Sequence, residues 1–164
     1  MVLAGAILGL VTLQRLGELV LSRRNTERLL AQGAREAAPG HYPLIVALHA
    51  AWLAGLWYLA VSRMDVEVSW GWLALFVILQ GLRVWVMATL GARWTTRIIV
   101  VPGAPLVGRG PYRFVSHPNY CIVAAEILVL PLCFGLVWYG LVFSVLNTLM
   151  LWVRIEAEET ALRQ

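Results

Sequence analysis

Five runs of apolar residues, at 2–21, 44–61, 70–90, 120–134 and 136–153, constrain this chain more than any other feature. A helix needs ~20 apolar residues to cross the ~30 Å hydrocarbon layer of a bilayer, and three or four of the runs are that long. The fourth is short, about 15 residues, and only Gly135 separates it from the fifth, which predicts a tight helical hairpin. Composition supports a lipid environment. Hydrophobic residues make up 60% of the 164 and charged ones 13%, where soluble domains carry ~25% charge. A soluble chain this short could not bury so much apolar surface. Helices suit lipid because each satisfies its own backbone donors and acceptors. The predicted fold class is therefore an all-α integral membrane protein of about five transmembrane helices. We expect one membrane domain, with three helices in 1–91, then a polar loop, the hairpin and a C-terminal helix in 92–164.

Arginine placement orients the chain. All 13 basic residues are Arg, and net charge is +4. Arg23, Arg24, Arg28 and Arg35 follow the first run, and Arg93, Arg97, Arg109 and Arg113 follow the third. Arg154 and Arg163 lie in the tail, whereas the loop after the second run holds only Arg63, beside Asp65 and Glu67. The positive-inside rule then puts the N-terminus outside and the C-terminus in the cytoplasm. Arginines spread among loops in this way are an orienting signal and not a nucleic-acid footprint. Trp70 and Trp72 suit the aromatic belt at the outer interface. The opening run lacks a basic start and a small-residue cleavage site, so it does not read as a cleavable signal peptide.

Two polar clusters flank the hairpin on the cytoplasmic side. The first is Gly110-Pro111-Tyr112-Arg113-Phe114-Val115-Ser116-His117-Pro118-Asn119-Tyr120. Taken alone it reads as a juxtamembrane turn, with Arg113 at the headgroups, both tyrosines in the interface and Asn119 capping the next helix. The second is Arg154-Ile155-Glu156-Ala157-Glu158-Glu159-Thr160-Ala161-Leu162. Arg154 and Glu158 are four apart and share a helix face, so taken alone they read as an exposed ion pair.

Together, in this order and spacing, the clusters resemble the isoprenylcysteine carboxyl methyltransferase family. That family shows Gly-x-Tyr, then His-Pro-x-Tyr, a helical hairpin, and Arg-x-x-x-Glu-Glu-x-x-Leu. Here these are Gly110 and Tyr112, His117 to Tyr120, and Arg154, Glu158, Glu159 and Leu162. The resemblance covers about 104–162. Gln14-Arg15 with Glu18, Arg24-Asn25, His41-Tyr42-Pro43 and Trp94-Thr95-Thr96-Arg97 are similar to a small bacterial branch, some of whose members O-methylate alkylpyrones and related polyketide lipids. Ser116 and Ile122 depart from residues common in the family, which weighs against a prenylated protein C-terminus as acceptor more than against methyl transfer.

The resemblance implies S-adenosylmethionine as cofactor, held by Leu106, Val107, Tyr112, His117, Pro118, Asn119, Tyr120 and Glu158. It implies Arg154 for the acidic group of a lipophilic substrate, which makes Arg154 and Glu158 the catalytic pair. The chemistry is compatible. Transfer of a methyl from a sulfonium depends on positioning and electrostatics. An Arg fork suits a carboxylate or an acidic enol. A lipid would arrive from the bilayer and a polar cofactor from the cytoplasm, so a site at the inner rim serves both. The alternatives are methylation of a prenylcysteine carboxylate, an NADPH-dependent membrane reductase, and a non-enzymatic scaffold or transporter half.

Some polar residues fall inside the apolar runs. Arg15, Glu18, Arg83, Glu126 and Asn147 lie within ~6–12 Å of the cytoplasmic helix ends. Such residues are functional candidates, and the plainer reading is a set of internal ion pairs, such as Arg83 with Glu126. His49 and Gln80 read as packing or hydrogen-bonding residues. No His, Cys or carboxylate cluster has metal-ligand spacing, so no metal is expected. Cys121 and Cys133 would stand ~18 Å apart on one helix, too far for a disulfide.

Overall fold

A computed structural model describes residues 2–62 and 67–162. Arg63 and Asp65 of the arginine-poor loop, Arg163 and the side chain of Leu162 lie outside the described residues. The chain is all-α apart from one minimal sheet. Its helices are α1 (Val2–Ala31), α2 (Tyr42–Ser62), α3 (Trp70–Leu90), α4 (Pro118–Cys133) and α5 (Val137–Leu162). By length and composition, α1, α2, α3 and α5 can cross a membrane, and α4, at 16 residues, is the short one. The fold is that of an integral membrane helical protein.

Two boundaries differ from the apolar runs. The first run ends at Leu21, but α1 continues to Ala31; the fifth ends at Val153, but α5 continues unbroken to Leu162. Both extensions are polar and have helix-forming sequences, so loss of hydrophobicity marks the end of the lipid contact and not of the helix. A continuous α5 carries Arg154 and Glu158 on one rigid element.

Successive helices run up and down, which gathers the arginine-rich segments at one end. There β1 (Arg35–Glu36) pairs antiparallel with β2 (Ile99–Val100), tying the α1–α2 connection to the α3–α4 connection. The polar extension of α1 holds the same segment: Asn25 Nδ2 donates to the Trp94 carbonyl at 2.8 Å, and Ser22 Oγ accepts from the Thr96 backbone N–H at 2.8 Å. At the opposite end Gly135, with φ +68°, makes the turn between α4 and α5, and the Ser69 N–H bonds the Cys133 carbonyl at 2.9 Å. The hairpin is therefore as tight as its single Gly predicts.

The core lies where α4 meets its neighbours. Leu8, Trp52, Leu56, Phe76, Ile127 and Leu130 are buried together. Trp52 Nε1 donates to the Ile127 carbonyl at 3.2 Å. The outer faces are apolar and exposed, as at Leu13, Val77, Val84, Val145 and Trp152, which is the surface lipid requires. Cys121 and Cys133 are both free on α4, as their separation predicts. Among the described residues, no group of three or more His, Cys, Asp or Glu side chains could hold a metal ion.

Candidate active site at the arginine-rich end

The segment before α4 is set by backbone constraints. Gly110 has φ +59°, and a Cβ there would fall 2.5 Å from Thr89 Oγ1, so only glycine lets the helical turn Gly110–Arg113 close against α3. Pro118 then opens α4 as its first residue, a position that needs no N–H donor. Asn119 does not cap the helix: His117 occupies that position without a side-chain cap bond. Asn119 lies inside the helix, and its Oδ1 is buried with no partner.

α4 and α5 bring the two sequence clusters together through Tyr120. Its hydroxyl donates to Glu158 Oε2 at 2.5 Å and accepts from Arg154 Nε at 2.9 Å. Arg154 and Glu158 thus share a helix face as expected, but a tyrosine from α4 stands between them. Arg154 is buried, with its carbon Cζ 5.4 Å from the Tyr120 ring centroid, and its second arm donates to the Thr96 carbonyl at 2.6 Å. The reading of these two as an exposed ion pair does not hold, because Arg154 is buried and directs two of its five donors to Tyr120 and Thr96.

His117 completes the group. Its ring stacks on Tyr120 with centroids 5.3 Å apart and planes 7° from parallel, and its Nδ1 lies 3.8 Å from Glu158 Oε2. Tyr112 stands near enough to feel Glu158: burial first, and that carboxylate second, push its hydroxyl up to about 12. His117, Tyr120, Arg154 and Glu158 therefore form one cluster, with Tyr112 within electrostatic reach of Glu158. Asn119 and Tyr120 line the cavity described below. Pro118 is buried at the helix start. Leu106 is exposed and Val107 half-buried, on the connection between β2 and the Gly110–Arg113 turn.

A cavity of about 290 Å³ runs from this cluster into the bundle. Arg154, Tyr120, Thr96 and Tyr42 line it near the rim, and Arg15, His49, Arg83 and Glu126 line it further in. Thr96 and Tyr42 belong to segments with a family resemblance, but no sequence signal singles out either residue. Their part depends on contacts across the loop, with Tyr42 Oη 3.1 Å from Thr96 Oγ1 and the Arg97 guanidinium 4.5 Å over the Tyr42 ring.

The intramembrane charges form internal ion pairs. Arg83 donates to Glu18 at 2.6 Å and to Glu126 at 3.0 Å; Arg15 donates to Glu18 at 2.9 Å and to Glu126 at 2.8 Å. Gln80 donates to Glu126 at 2.7 Å and accepts from Gln14 at 2.8 Å. Two Arg and two Glu from α1, α3 and α4 thus cancel within the bundle. Asn147 is fully buried, with neither side-chain polar atom partnered.

Comparison with known proteins shows the family. Residues 72–164 match the isoprenylcysteine carboxyl methyltransferase (ICMT) family, a stretch that contains every residue of the Tyr120 cluster. A Bacillus subtilis protein, named only as the uncharacterized protein YpbQ, is 37% identical over 161 residues, covering 96% of this chain and 95% of that relative. No solved structure matches the chain. With the family match spanning more than half of the sequence and the cluster lying within it, this chain belongs to the isoprenylcysteine carboxyl methyltransferase family of membrane methyltransferases.

Proposed function

We propose that this protein is an S-adenosylmethionine-dependent O-methyltransferase acting on a lipophilic acidic acceptor, an alkylpyrone-type polyketide lipid, at the cytoplasmic rim of a bacterial inner membrane. One observation carries the reading. The Tyr120 hydroxyl bridges Arg154, which with Tyr120 lines a cavity leading into the apolar bundle, to Glu158 beside it. A cation for an acceptor's anion and an anion for a donor's cation are thereby fixed within one helical turn.

The residues fit the cofactor. Asn119 Oδ1 is a buried acceptor without a donor, which a ligand hydroxyl or amine would satisfy. Glu158 offers a carboxylate, and His117 and Tyr112 add ring faces and polar tips beside it. S-adenosylmethionine supplies an electrophilic methyl group on a sulfonium. Arg154 orients the acceptor's oxygen and stabilises it as an anion, and its anchor on the Thr96 carbonyl limits the fork's freedom. Tyr120 keeps Arg154 and Glu158 in register. The apolar walls exclude water, which would otherwise weaken both electrostatic contacts.

The cytoplasmic placement of this end follows the arginine bias. A C-terminal reporter active only on the outer face would contradict it. The chemistry is tested by incubating detergent-purified protein with methyl-labelled S-adenosylmethionine and either a long-chain alkylpyrone or a prenylcysteine. Label in the pyrone supports the proposal. Label only in the prenylcysteine carboxyl would replace it with the narrower activity in the family's name, and label in neither would remove both acceptors.

A further inference from the structure

Three hydroxyls meet where α1, α2 and the α3–α4 connection come together. Ser22 Oγ lies 2.7 Å from Thr96 Oγ1, and Thr96 Oγ1 lies 3.1 Å from Tyr42 Oη. Their proton order follows from burial. Ser22 is 2% exposed, and its oxygen already accepts the Thr96 backbone N–H at 2.8 Å. Among the described residues, the Ser22 hydroxyl proton meets no acceptor other than Thr96 Oγ1. A hydroxyl so deeply buried keeps its proton bonded, so Ser22 donates to Thr96. Each hydroxyl has one proton, so Thr96 donates its own to Tyr42 Oη. The Tyr42 proton is left over. Tyr42 is half-buried and lines the cavity, so its O–H is offered to what the cavity holds.

The same threonine anchors Arg154. Arg154 Nη2 donates to the Thr96 carbonyl at 2.6 Å, so the guanidinium and the phenol hang on one residue, at its backbone oxygen and its side-chain oxygen. Both line the cavity near its rim. Arg154 spends two of its five donors on Tyr120 and Thr96, which leaves the others for a ligand. The Tyr42 ring is held from its face by the Arg97 guanidinium at 4.5 Å, and Arg97 is fixed in turn by Glu36 at 2.9 Å. The two donors are therefore set in place before an acceptor arrives.

An acidic pyrone shares its negative charge between two oxygens, the enol oxygen and the ring carbonyl oxygen. Either can attack a methyl sulfonium. A lone pair of the attacking oxygen forms the new bond to the methyl carbon, the carbon–sulfur bond breaks with its pair on sulfur, and the acceptor's acidic proton has already gone to water. An acceptor held by Arg154 alone could turn about that contact and present either oxygen. A second donor beside the first removes that freedom.

We infer that Tyr42 determines which oxygen reacts: its hydroxyl donates to the acceptor oxygen that is not methylated, so that only the oxygen at Arg154 meets the methyl group. This rests on the function proposed above. In the test, full-length detergent-purified protein methylates a long-chain acidic pyrone with labelled S-adenosylmethionine, and the two O-methyl isomers are separated and counted. Wild type should give mainly one isomer. Tyr42→Phe keeps the ring under Arg97 and removes only the hydroxyl. It should bind S-adenosylhomocysteine as wild type does and lower the isomer ratio about tenfold, the usual worth of a lost hydrogen bond. Thr96→Val keeps the carbonyl that Arg154 uses and removes the hydroxyl that orders the Tyr42 proton, so it should lower the ratio part of the way. A merely structural role for Tyr42 would slow both isomers alike, and an unchanged ratio in both variants overturns the inference. Comparable amounts of the two isomers from wild type overturn it while leaving the proposed function standing. No label in either isomer from wild type overturns the proposed acceptor and the role of Tyr42 together.

Discussion

The Tyr120 hydroxyl accepts a hydrogen bond from Arg154 and donates one to Glu158, so one side chain of α4 holds the two charged residues of α5 in fixed relation. Tyr120→Phe keeps the ring that stacks on His117 and removes only this link. It leaves Arg154 short of a partner at a buried site and frees the Glu158 carboxylate. Hydrogen bonds to charged groups contribute ~1.5–3 kcal/mol, so methylation should fall about tenfold to a hundredfold. A turnover assay on Tyr120→Phe checks this. Combining Tyr120→Phe with Arg154→Ala should cost less than the two single losses added, because both act on one link.

Arg154 and Glu158 should fail in different ways. Arg154→Ala should keep most S-adenosylhomocysteine affinity and lose turnover, through poor orientation of the acceptor anion. Arg154→Lys should recover only part, because a single ammonium cannot reach both Tyr120 Oη and the Thr96 carbonyl as a planar fork does. Glu158→Ala should lose cofactor affinity first. Calorimetry and initial rates on the three variants separate these outcomes, and an identical loss of cofactor binding in all three would count against the division.

The buried charges are a stability matter. Arg83→Met leaves Glu18 and Glu126 with Arg15 alone, and a charge left unpaired at such a site costs ~3–5 kcal/mol. Arg83→Met with Glu126→Leu removes one charge of each sign and leaves Arg15 paired with Glu18 at 2.9 Å. The double variant should therefore be more stable than Arg83→Met. Thermal unfolding in detergent of the single and double variants gives the comparison, and equal stability would argue against charge balance as the reason these residues occur together.

Tyr112 reports on the assembly of the site. Burial and the Glu158 carboxylate both favour its neutral form, which moves its ionisation from 10.0 up to about 12. The unfolded chain loses this proton first as pH rises, so the contribution of Tyr112 to stability is present below pH 10 and is lost between pH 10 and about 12. Glu158→Gln removes the smaller of the two causes and should lower the ionisation part of the way. An ultraviolet titration of the wild type, Glu158→Gln and Tyr112→Phe isolates the signal. No change in Glu158→Gln would mean that Tyr112 does not sense that carboxylate.

Much of the fold is legible in the sequence itself. Apolar run length located the helices, and the lone Gly135 marked the hairpin, because a bilayer imposes length and a one-residue turn imposes backbone geometry. The pairing of Arg83 with Glu126 followed from the cost of isolated charge in lipid. The position of Tyr120 between Arg154 and Glu158 was not legible. Helical periodicity relates residues on one helix, whereas this contact joins α4 to α5 across 34 and 38 residues of sequence. The anchoring of Arg154 on Thr96 was hidden for the same reason, since a backbone carbonyl carries no sequence signal. The plainer reading of Asn119 as a cap fails, although the residue type favours that position, and its expected place in the cofactor site is left as proposed. The chain places His117 at the cap, and Pro118 takes the first turn.

The central claim is that the cluster around Tyr120 holds S-adenosylmethionine. Calorimetric titration of detergent-purified protein with S-adenosylhomocysteine, and separately with NADPH, tests it most directly. Wild type should bind S-adenosylhomocysteine and not NADPH, and His117→Ala and Glu158→Ala should each bind it at least about tenfold more weakly, from loss of a polar contact to the ligand. If both variants bind S-adenosylhomocysteine as wild type does, or wild type binds only NADPH, the cofactor site is not the one described.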